Sequence, residues 1–188
     1  MQPRVLVIAC GALARELLAI TELNGLTNVT VECLPASLHN RPKEIPELVR
    51  TRIRRARGQF GHAVPDTGCP SDKDLVDNAL LDDGTRQASG QFDEILIGYA
   101  DCGTGGLLEN VCVEEGVEML AGAHCYQFFA THDRFEQLQD HALGSFYLTD
   151  FLARNWERLI WEGMGIAKHP ELRDMYFGNY TRCVYLEQ

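Results

Sequence analysis

The sequence predicts an α/β fold of the doubly wound, Rossmann-like type, with a mostly parallel sheet of about four or five strands. Short apolar runs alternate with helix-forming stretches along much of the chain, which is typical of parallel strands joined by right-handed crossovers. The first run, 5–9, is continuously apolar and ends in Cys10-Gly11. A run of this kind favours a strand that is buried on both faces, as the strands of a parallel sheet are.

The other elements follow in order along the chain. Good helix formers occupy 12–23, and Asn24-Gly25 ends this helix. Pro46 is compatible with the second helix because it falls in the first turn. The further predicted elements are a strand at 29–34, a helix at 43–57, a strand at 94–99, a helix at 107–115 that ends at Gly116, and a strand at 117–120.

We interpret 1–188 as a single α/β domain in which two segments depart from this alternation. The segment 60–91 is polar and rich in turn-forming residues, which predicts a surface insertion with one short helix at most, 71–81. The C-terminal part, 132–188, is predicted to be mainly helical and is rich in aromatic residues. Its predicted elements are helices at 133–141, 148–162 and 170–176, with a last strand at 184–186.

Composition and charge narrow the range of partners. Of the 188 residues, 45% are hydrophobic and 23% are charged, as in ordinary globular proteins. The formal net charge of −10 argues against nucleic acid and anionic membranes as partners. The segment 50–57 is a local exception, and it predicts either a solvated basic helix face or a site for an anionic ligand or an acidic partner. Its arginines are Arg50, Arg52, Arg54, Arg55 and Arg57.

The cysteine content bears on the compartment and on the chemistry. No apolar stretch approaches the roughly 18 residues of a membrane span, and the N-terminus resembles a first strand more than a signal peptide. We therefore expect a cytoplasmic protein. Seven cysteines, an odd number in a reducing compartment, argue against a disulfide framework and for metal binding, catalysis or burial.

Cysteine and histidine side chains follow four of the predicted strands: Cys10, His39, Cys102 and the pair His124-Cys125. The carboxyl ends of parallel strands share one edge of the sheet, where ligands bind, and strands about 4.8 Å apart allow side chains at these ends to converge. Zinc takes four such ligands, or three and a water. The pattern predicts a zinc centre, with iron as an alternative metal, and His39 as a fourth ligand or a catalytic acid or base.

The adjacent His124 and Cys125 are expected to point to opposite sides, so that only one of them faces the site. Tyr126 and Asp150 are further catalytic candidates within reach of the same pocket, although Asp150 also suits the start of a helix. The other cysteines are expected to be structural or incidental. We assign Cys33, Cys112 and Cys183 to the core and Cys69 to the insertion.

The glycine-rich turn that follows the third strand has a separate interpretation. Exposed backbone N–H groups at a helix start can hold a phosphate or carboxylate, which makes Gly103, Thr104, Gly105 and Gly106 candidate cofactor-binding residues. The glycines are also explained by a tight turn alone, and the turn lacks the lysine of a P-loop and the spacing of a dinucleotide motif. A helix start lowers the pKa of a thiol, so Cys102 suits a metal ligand or a nucleophile.

Several motifs in this order together resemble the domain-of-unknown-function family numbered 1638. The resemblance covers nearly all of the chain outside 60–91, and its motif residues map onto the cysteines and histidines of the four strand ends. The family's genes often lie near those of corrinoid proteins and their methyltransferases, which implies a role in one-carbon or methyl-group metabolism. The motifs are Ala9-Cys-Gly-Ala-Leu13, Leu34-Pro-Ala-Ser-Leu-His-Asn40, Tyr99-Ala-Asp-Cys-Gly-Thr-Gly-Gly106, His124-Cys-Tyr126, Tyr147-Leu-Thr-Asp-Phe-Leu152, and Asn179-Tyr180 followed by Val184-Tyr185.

Three functions are compatible with the sequence. The first is a metal-dependent cytoplasmic enzyme that transfers or hydrolyses a small group on a small-molecule substrate. The second is a metal-free thiol enzyme with Cys102 as nucleophile and a histidine as base. The third is a non-catalytic accessory protein that binds a corrinoid, a metal or a methyltransferase. The sequence leaves open whether the protein forms a homo-oligomer.

Overall fold

The computed structural model describes residues 2–59 and 92–187, so the predicted insertion at 60–91, with Cys69 and the helix at 71–81, lies outside the described residues. None of the helices in the described ranges has the length and apolarity needed to cross a lipid bilayer. The elements are β1 Val5–Cys10, α1 Ala14–Leu23, β2 Val29–Leu34, α2 Ile45–Ala56, β3 Glu94–Gly98, α3 Leu107–Glu115, β4 Glu118–Met119, α4 Gln127–Ala130, α5 His132–His141, β5 Ser145–Thr149, α6 Asp150–Arg154, α7 Leu172–Phe177 and β6 Arg182–Leu186, with 3₁₀ turns at Gly11–Leu13, Ala36–Asn40 and Pro42–Glu44 and a π-helical turn at Glu157–Glu162.

The main sheet has four parallel strands in the order β2-β1-β3-β4. β1 pairs in parallel with β2 on one side, from Val5 opposite Val29 to Cys10 opposite Leu34, and with β3 on the other. The predicted α/β fold with a mostly parallel sheet is therefore confirmed. β2 and α3 have the predicted bounds, and the stop at Gly116 marked the end of α3 clearly.

Helices cover both faces of this sheet. Successive strand residues point to opposite faces, and the two faces of β1 pack in different clusters. Val7 packs with Leu18 of α1. Ile8 packs on the other side with Val49 of α2 and Leu108 of α3. The doubly wound arrangement is confirmed, and Cys10 lies on the face that α2 and α3 cover.

The arginines of α2 are largely paired with carboxylates of the chain itself. Arg50, Arg54 and Arg57 lie 3.3, 2.8 and 3.4 Å from the Glu115 carboxylate, whose side chain is only 8% exposed. Arg52 pairs with Glu32 of β2 at 2.8 Å. These arginines fasten α2 to its neighbours, so the segment 50–57 presents less of a solvated basic face than its sequence predicts.

The C-terminal part has more helix than strand, as predicted, and it also contains a second sheet, in which the predicted last strand at 184–186 falls within β6. β5 and β6 pair in parallel, with Ser145 opposite Arg182 and Thr149 opposite Leu186. The predicted helix at 148–162 is wrong at its start, because Leu148 and Thr149 belong to β5. Two short helical segments, α6 and the π-helical turn, replace its remainder. Local sequence could not show the strand because its pairing partner lies far along the chain.

An aromatic cluster lies between β5 and the C-terminal helices, and it lines an open groove on this side of the second sheet. The Phe146 ring lies 5.7 Å from the Trp156 ring and 5.5 Å from the Phe177 ring, in edge-to-face contacts that favour aromatic packing. The prediction of an aromatic-rich C-terminal part is confirmed. Among the cysteines assigned to the core, Cys112 is buried, Cys33 is half-buried and Cys183 is exposed, so the assignment of Cys183 is wrong.

Candidate functional site

The strand order places a crevice between β1 and β3. The chain leaves β1 towards β2 on one side and later enters β3 on the other side, so these two strands flank the topological switch point of the sheet. Ligands of open α/β sheets bind beyond the carboxyl ends of the strands at such a point. Cys10 is the last residue of β1, and Cys102 lies in the turn that follows β3.

A cavity of about 40 Å³ lies at these strand ends. A water needs about 10–15 Å³ of such volume, so the cavity holds two or three water-sized groups. The structure brings five of the predicted site residues to its wall: Cys10, His39, Cys102, Cys125 and Tyr126. Phe151, Leu152 and Leu159 of the C-terminal part cover it with apolar groups, and a hydrogen bond of 2.7 Å from Asn40 Nδ2 to the Leu159 carbonyl fastens this cover to the loop of His39.

Two backbone hydrogen bonds join the loops that follow β3 and β4. The N–H of Asp101 donates to the Gly122 carbonyl, and the N–H of Cys102 donates to the Ala123 carbonyl, both at 3.0 Å. These bonds bring Cys102 beside Cys125, although the two residues come from different strand ends. Cys125 therefore faces the cavity, which answers which member of the His124-Cys125 pair points inward.

The three thiols around the cavity differ in acidity. A hydrogen bond from the Cys125 thiol, supported by the backbone N–H of Cys125, outweighs burial and holds the pKa of Cys102 below its ordinary value. The same contact and burial raise the pKa of Cys125. Burial raises the pKa of Cys10 to about 11. Cys102 is therefore the thiol that ionises most readily, with Cys125 as its proton-bearing neighbour.

Within residues 2–59 and 92–187 the Tyr99 hydroxyl forms no hydrogen bond of good geometry, although it interacts with the Cys10 thiol. Tyr99 is 2% exposed and lines the cavity beside Cys10, and burial keeps the pKa of its hydroxyl high. A buried hydroxyl that lacks a well-formed hydrogen bond costs about 1–3 kcal/mol, so Tyr99 marks a place where an acceptor in the cavity would be held. Our sequence analysis missed this residue. The sequence did contain a signal for it. Side chains two residues apart in a strand point to the same face, so Tyr99 shares the face of Ile97, which is also the face of Cys10.

The two histidines form a neutral pair at one side of the cavity. Burial lowers the pKa of His39, and burial together with His39 lowers the pKa of His124 to about 4. Their rings meet edge-on with centroids 5.6 Å apart. His124 Nδ1 accepts the N–H of Tyr126 at 3.2 Å, so His124 orders its own loop, while His39 lines the cavity as a neutral base.

The glycine-rich turn directs its N–H groups at its own aspartate. Gly106 donates to the Asp101 carboxylate at 2.7 Å, and Gly103 and Gly105 donate at 3.2 Å. The buried Thr104 hydroxyl donates at 2.8 Å. Burial alone raises the pKa of Asp101, and these hydrogen bonds outweigh it, so that the pKa lies below its ordinary value. The geometry gives no support to a phosphate or carboxylate site at Gly103, Thr104, Gly105 and Gly106.

Of the two remaining catalytic candidates, Tyr126 and Asp150, only Tyr126 lies at the cavity. Tyr126 lines the cavity, and burial raises the pKa of its hydroxyl. Asp150 lies outside this lining. It pairs with Arg154 at 3.0 Å and accepts a hydrogen bond from the Tyr185 hydroxyl. Thr149 reaches the cavity wall in its place, and its hydroxyl caps α6 by accepting the N–H of Leu152 at 3.2 Å.

The three cysteine thiols lie around one cavity, but they are not arranged as the ligands of a metal ion. Within residues 2–59 and 92–187, no three side chains of His, Cys, Asp or Glu are already arranged to hold a metal ion. Cation binding at the cavity would therefore require the cysteine side chains to turn towards one point.

Comparison with known proteins yields one match. A family model described as a protein of unknown function (DUF1638) matches residues 33–188, which include Cys102, His124 and Cys125 but not Cys10. No curated protein and no solved structure matches the chain. The match assigns no activity, so inference about function depends on the cavity and its chemistry.

Proposed function

The chain belongs to the DUF1638 family, and from the cavity we propose that it is a metal-dependent enzyme acting on a small molecule. The centre is formed by the thiols of Cys10, Cys102 and Cys125, with zinc as the metal and iron as the alternative. A role in one-carbon or methyl-group metabolism, beside a corrinoid protein or a methyltransferase, joins this proposal through the family resemblance alone. A cytoplasmic location joins it through the cysteine content.

The observation that carries the proposal is the meeting of three thiols at the switch point of the sheet. Free cysteines are often buried for packing alone. Packing explains Cys112, which lies in α3 within the core, but it does not explain why three separate strand-end loops each deliver a thiol to one cavity.

The donor set suits a soft or borderline cation. Thiolates select zinc and iron–sulfur centres over magnesium or calcium, and His39 adds a borderline nitrogen donor at the same wall. Cys10 and Cys125 must lose protons to ligate, so metal binding would release protons. When bound, zinc supplies a Lewis acid that makes a bound water or thiol a stronger nucleophile near neutral pH.

The chain's own residues supply the rest of the chemistry. The neutral His39 imidazole can accept a proton from a substrate in the cavity, and the Tyr99 and Tyr126 hydroxyls can donate hydrogen bonds to it. The apolar cover excludes bulk water. The volume of about 40 Å³ limits the reacting group to a few heavy atoms, which favours transfer or hydrolysis of a small group.

Elemental analysis of protein purified without a histidine tag tests the proposal. We expect about one zinc per chain in the wild type and a loss of zinc in Cys10→Ser, because that change removes one of three ligands. Cys112→Ala is the control, since Cys112 packs in the core away from the cavity lining, and it should keep the metal. Protein that contains no metal, or a Cys10→Ser variant with full occupancy, would contradict the centre.

A second candidate is a metal-free enzyme in which Cys102 is the nucleophile, and the lowered pKa of its thiol favours it. Thiolates are the reactive form, so a lowered pKa moves the rise of the alkylation rate to lower pH. We expect Cys102 to reach half its maximal rate below pH 9.0 and Cys10 near pH 11. Mass spectrometry after brief iodoacetamide treatment of chelator-treated protein measures both. Equal midpoints would argue against a special role for Cys102.

A further inference from the structure

Gln127 is a buried polar side chain in the first position of α4, directly after the loop that carries His124 and Cys125. The residue is 7% exposed. Its Oε1 accepts the N–H of Ala123 at 2.7 Å and the N–H of His124 at 3.4 Å. One side-chain carbonyl thus ties two consecutive amides of this loop, although Gln127 itself does not line the cavity.

The polarity of the hydrogen bonds fixes the orientation of the Gln127 amide. Because Oε1 accepts from backbone N–H groups, the Nε2 group can only donate, and it lies 3.0 Å from His132 Nδ1. His132 Nδ1 is therefore an acceptor, which leaves the proton of the neutral ring on Nε2, 3.1 Å from Glu136. The side chains of His132 and Glu136 are about 60% exposed. A chain of hydrogen bonds runs from the surface of α5 to the site loop.

The backbone of Ala123 contacts both Gln127 and the Cys102 loop. The N–H of Ala123 donates to Gln127, and the carbonyl of Ala123 accepts the N–H of Cys102 at 3.0 Å. The neighbouring carbonyl of Gly122 accepts the N–H of Asp101. Any displacement of the Gln127 side chain would therefore be transmitted to the place where Cys125 meets Cys102.

We propose that Gln127 is a positioning residue of the thiol centre: it holds the loop of Cys125 against the loop of Cys102, with His132 orienting its amide and Glu136 orienting His132. The proposal deepens the function proposed above and depends on it only for the importance of the Cys102–Cys125 contact. It assigns Gln127 no contact with substrate or metal.

The test compares alkylation of single cysteines in Gln127→Met and in wild type, on chelator-treated protein, by mass spectrometry. Methionine keeps the length and bulk of glutamine but lacks its hydrogen bonds. Cys125 is 6% exposed and reacts only when its loop opens. We expect its alkylation to rise at least about tenfold, since two hydrogen bonds to the loop are lost. Cys112, 2% exposed in the core, is the internal reference and should not change.

Gln127→Glu is the conservative variant that should restore protection. One carboxylate oxygen can accept the two loop amides in the way that Oε1 of Gln127 does. We therefore expect Cys125 to be as well protected from alkylation in Gln127→Glu as in the wild type, measured in the same assay. An equal rise for Cys112 in Gln127→Met, an unchanged Cys125, or an exposed Cys125 in Gln127→Glu would overturn the proposal. Since no metal is present in the assay, each result is independent of the zinc proposal.

Discussion

Replacing Cys102 with serine is expected to weaken zinc binding by at least about a hundredfold. Residues that only support a metal ligand cost up to about a hundredfold in affinity when they are replaced, and the loss of a ligand itself should cost no less. Cys102 is the thiol that ionises most readily, because it accepts a hydrogen bond from the Cys125 thiol. A serine hydroxyl does not ionise at neutral pH and is a poor donor to a soft cation. The change thus removes a ligand.

The fold should survive this replacement nearly intact. Cys102 is half-buried in a turn, and its φ of 48° is a conformation that serine adopts no less readily than cysteine. Competition with a chromophoric chelator measures the zinc affinity, and thermal unfolding monitored by circular dichroism checks the fold. Cys112→Ala is the matched control: it should lose about 1–2 kcal/mol of stability through a small cavity in the core and keep its zinc affinity. A Cys102→Ser protein that binds zinc as tightly as the wild type would show that the metal, if present, lies elsewhere.

The sequence predicted the main sheet well because each of its central strands carries its own signal. Burial on both faces requires a continuous apolar run, and 5–9 shows one without reference to any partner. Convergence at the strand ends followed from parallel pairing alone, which put Cys10, Cys102 and Cys125 on one edge. These are consequences of topology, and they need no side-chain geometry.

Features that depend on distant partners were not predictable in this way. β5 forms because 145–149 meets 182–186, and neither segment shows this pairing by itself. The glycine-rich turn has the composition of an anion site, yet the carboxylate of Asp101 already satisfies its N–H groups. Gln127 went unnoticed because a glutamine at a helix start is ordinary in sequence, and its role appears only with Ala123 and His132 around it.

Replacing Gly122 with alanine is expected to lower the free energy of unfolding by about 2–4 kcal/mol. Gly122 has a φ of +137°, which L side chains rarely adopt, and its added Cβ would lie 2.3 Å from Gln127 Oε1. Backbone strain of this kind costs about 1–3 kcal/mol. Oε1 is held by the N–H groups of Ala123 and His124, so moving it aside adds about 1 kcal/mol for the hydrogen bonds lost.

Gly116→Ala is the control for a glycine substitution that meets no side chain. Gly116 also has a positive φ, +62°, but an added Cβ there would meet nothing within 4 Å, so that variant carries backbone strain alone, about 1 kcal/mol. Denaturant unfolding of both variants, analysed by linear extrapolation, measures the difference. The excess loss in Gly122→Ala should be accompanied by faster alkylation of Cys125, since the collision displaces the side chain that positions its loop. An equal loss of stability in the two variants, with Cys125 protected in both, would contradict this expectation. It would mean that the Gln127 side chain moves away from the new methyl group without releasing the loop. The close fit between Gly122 and Gln127 would then have no part in holding the thiol centre together.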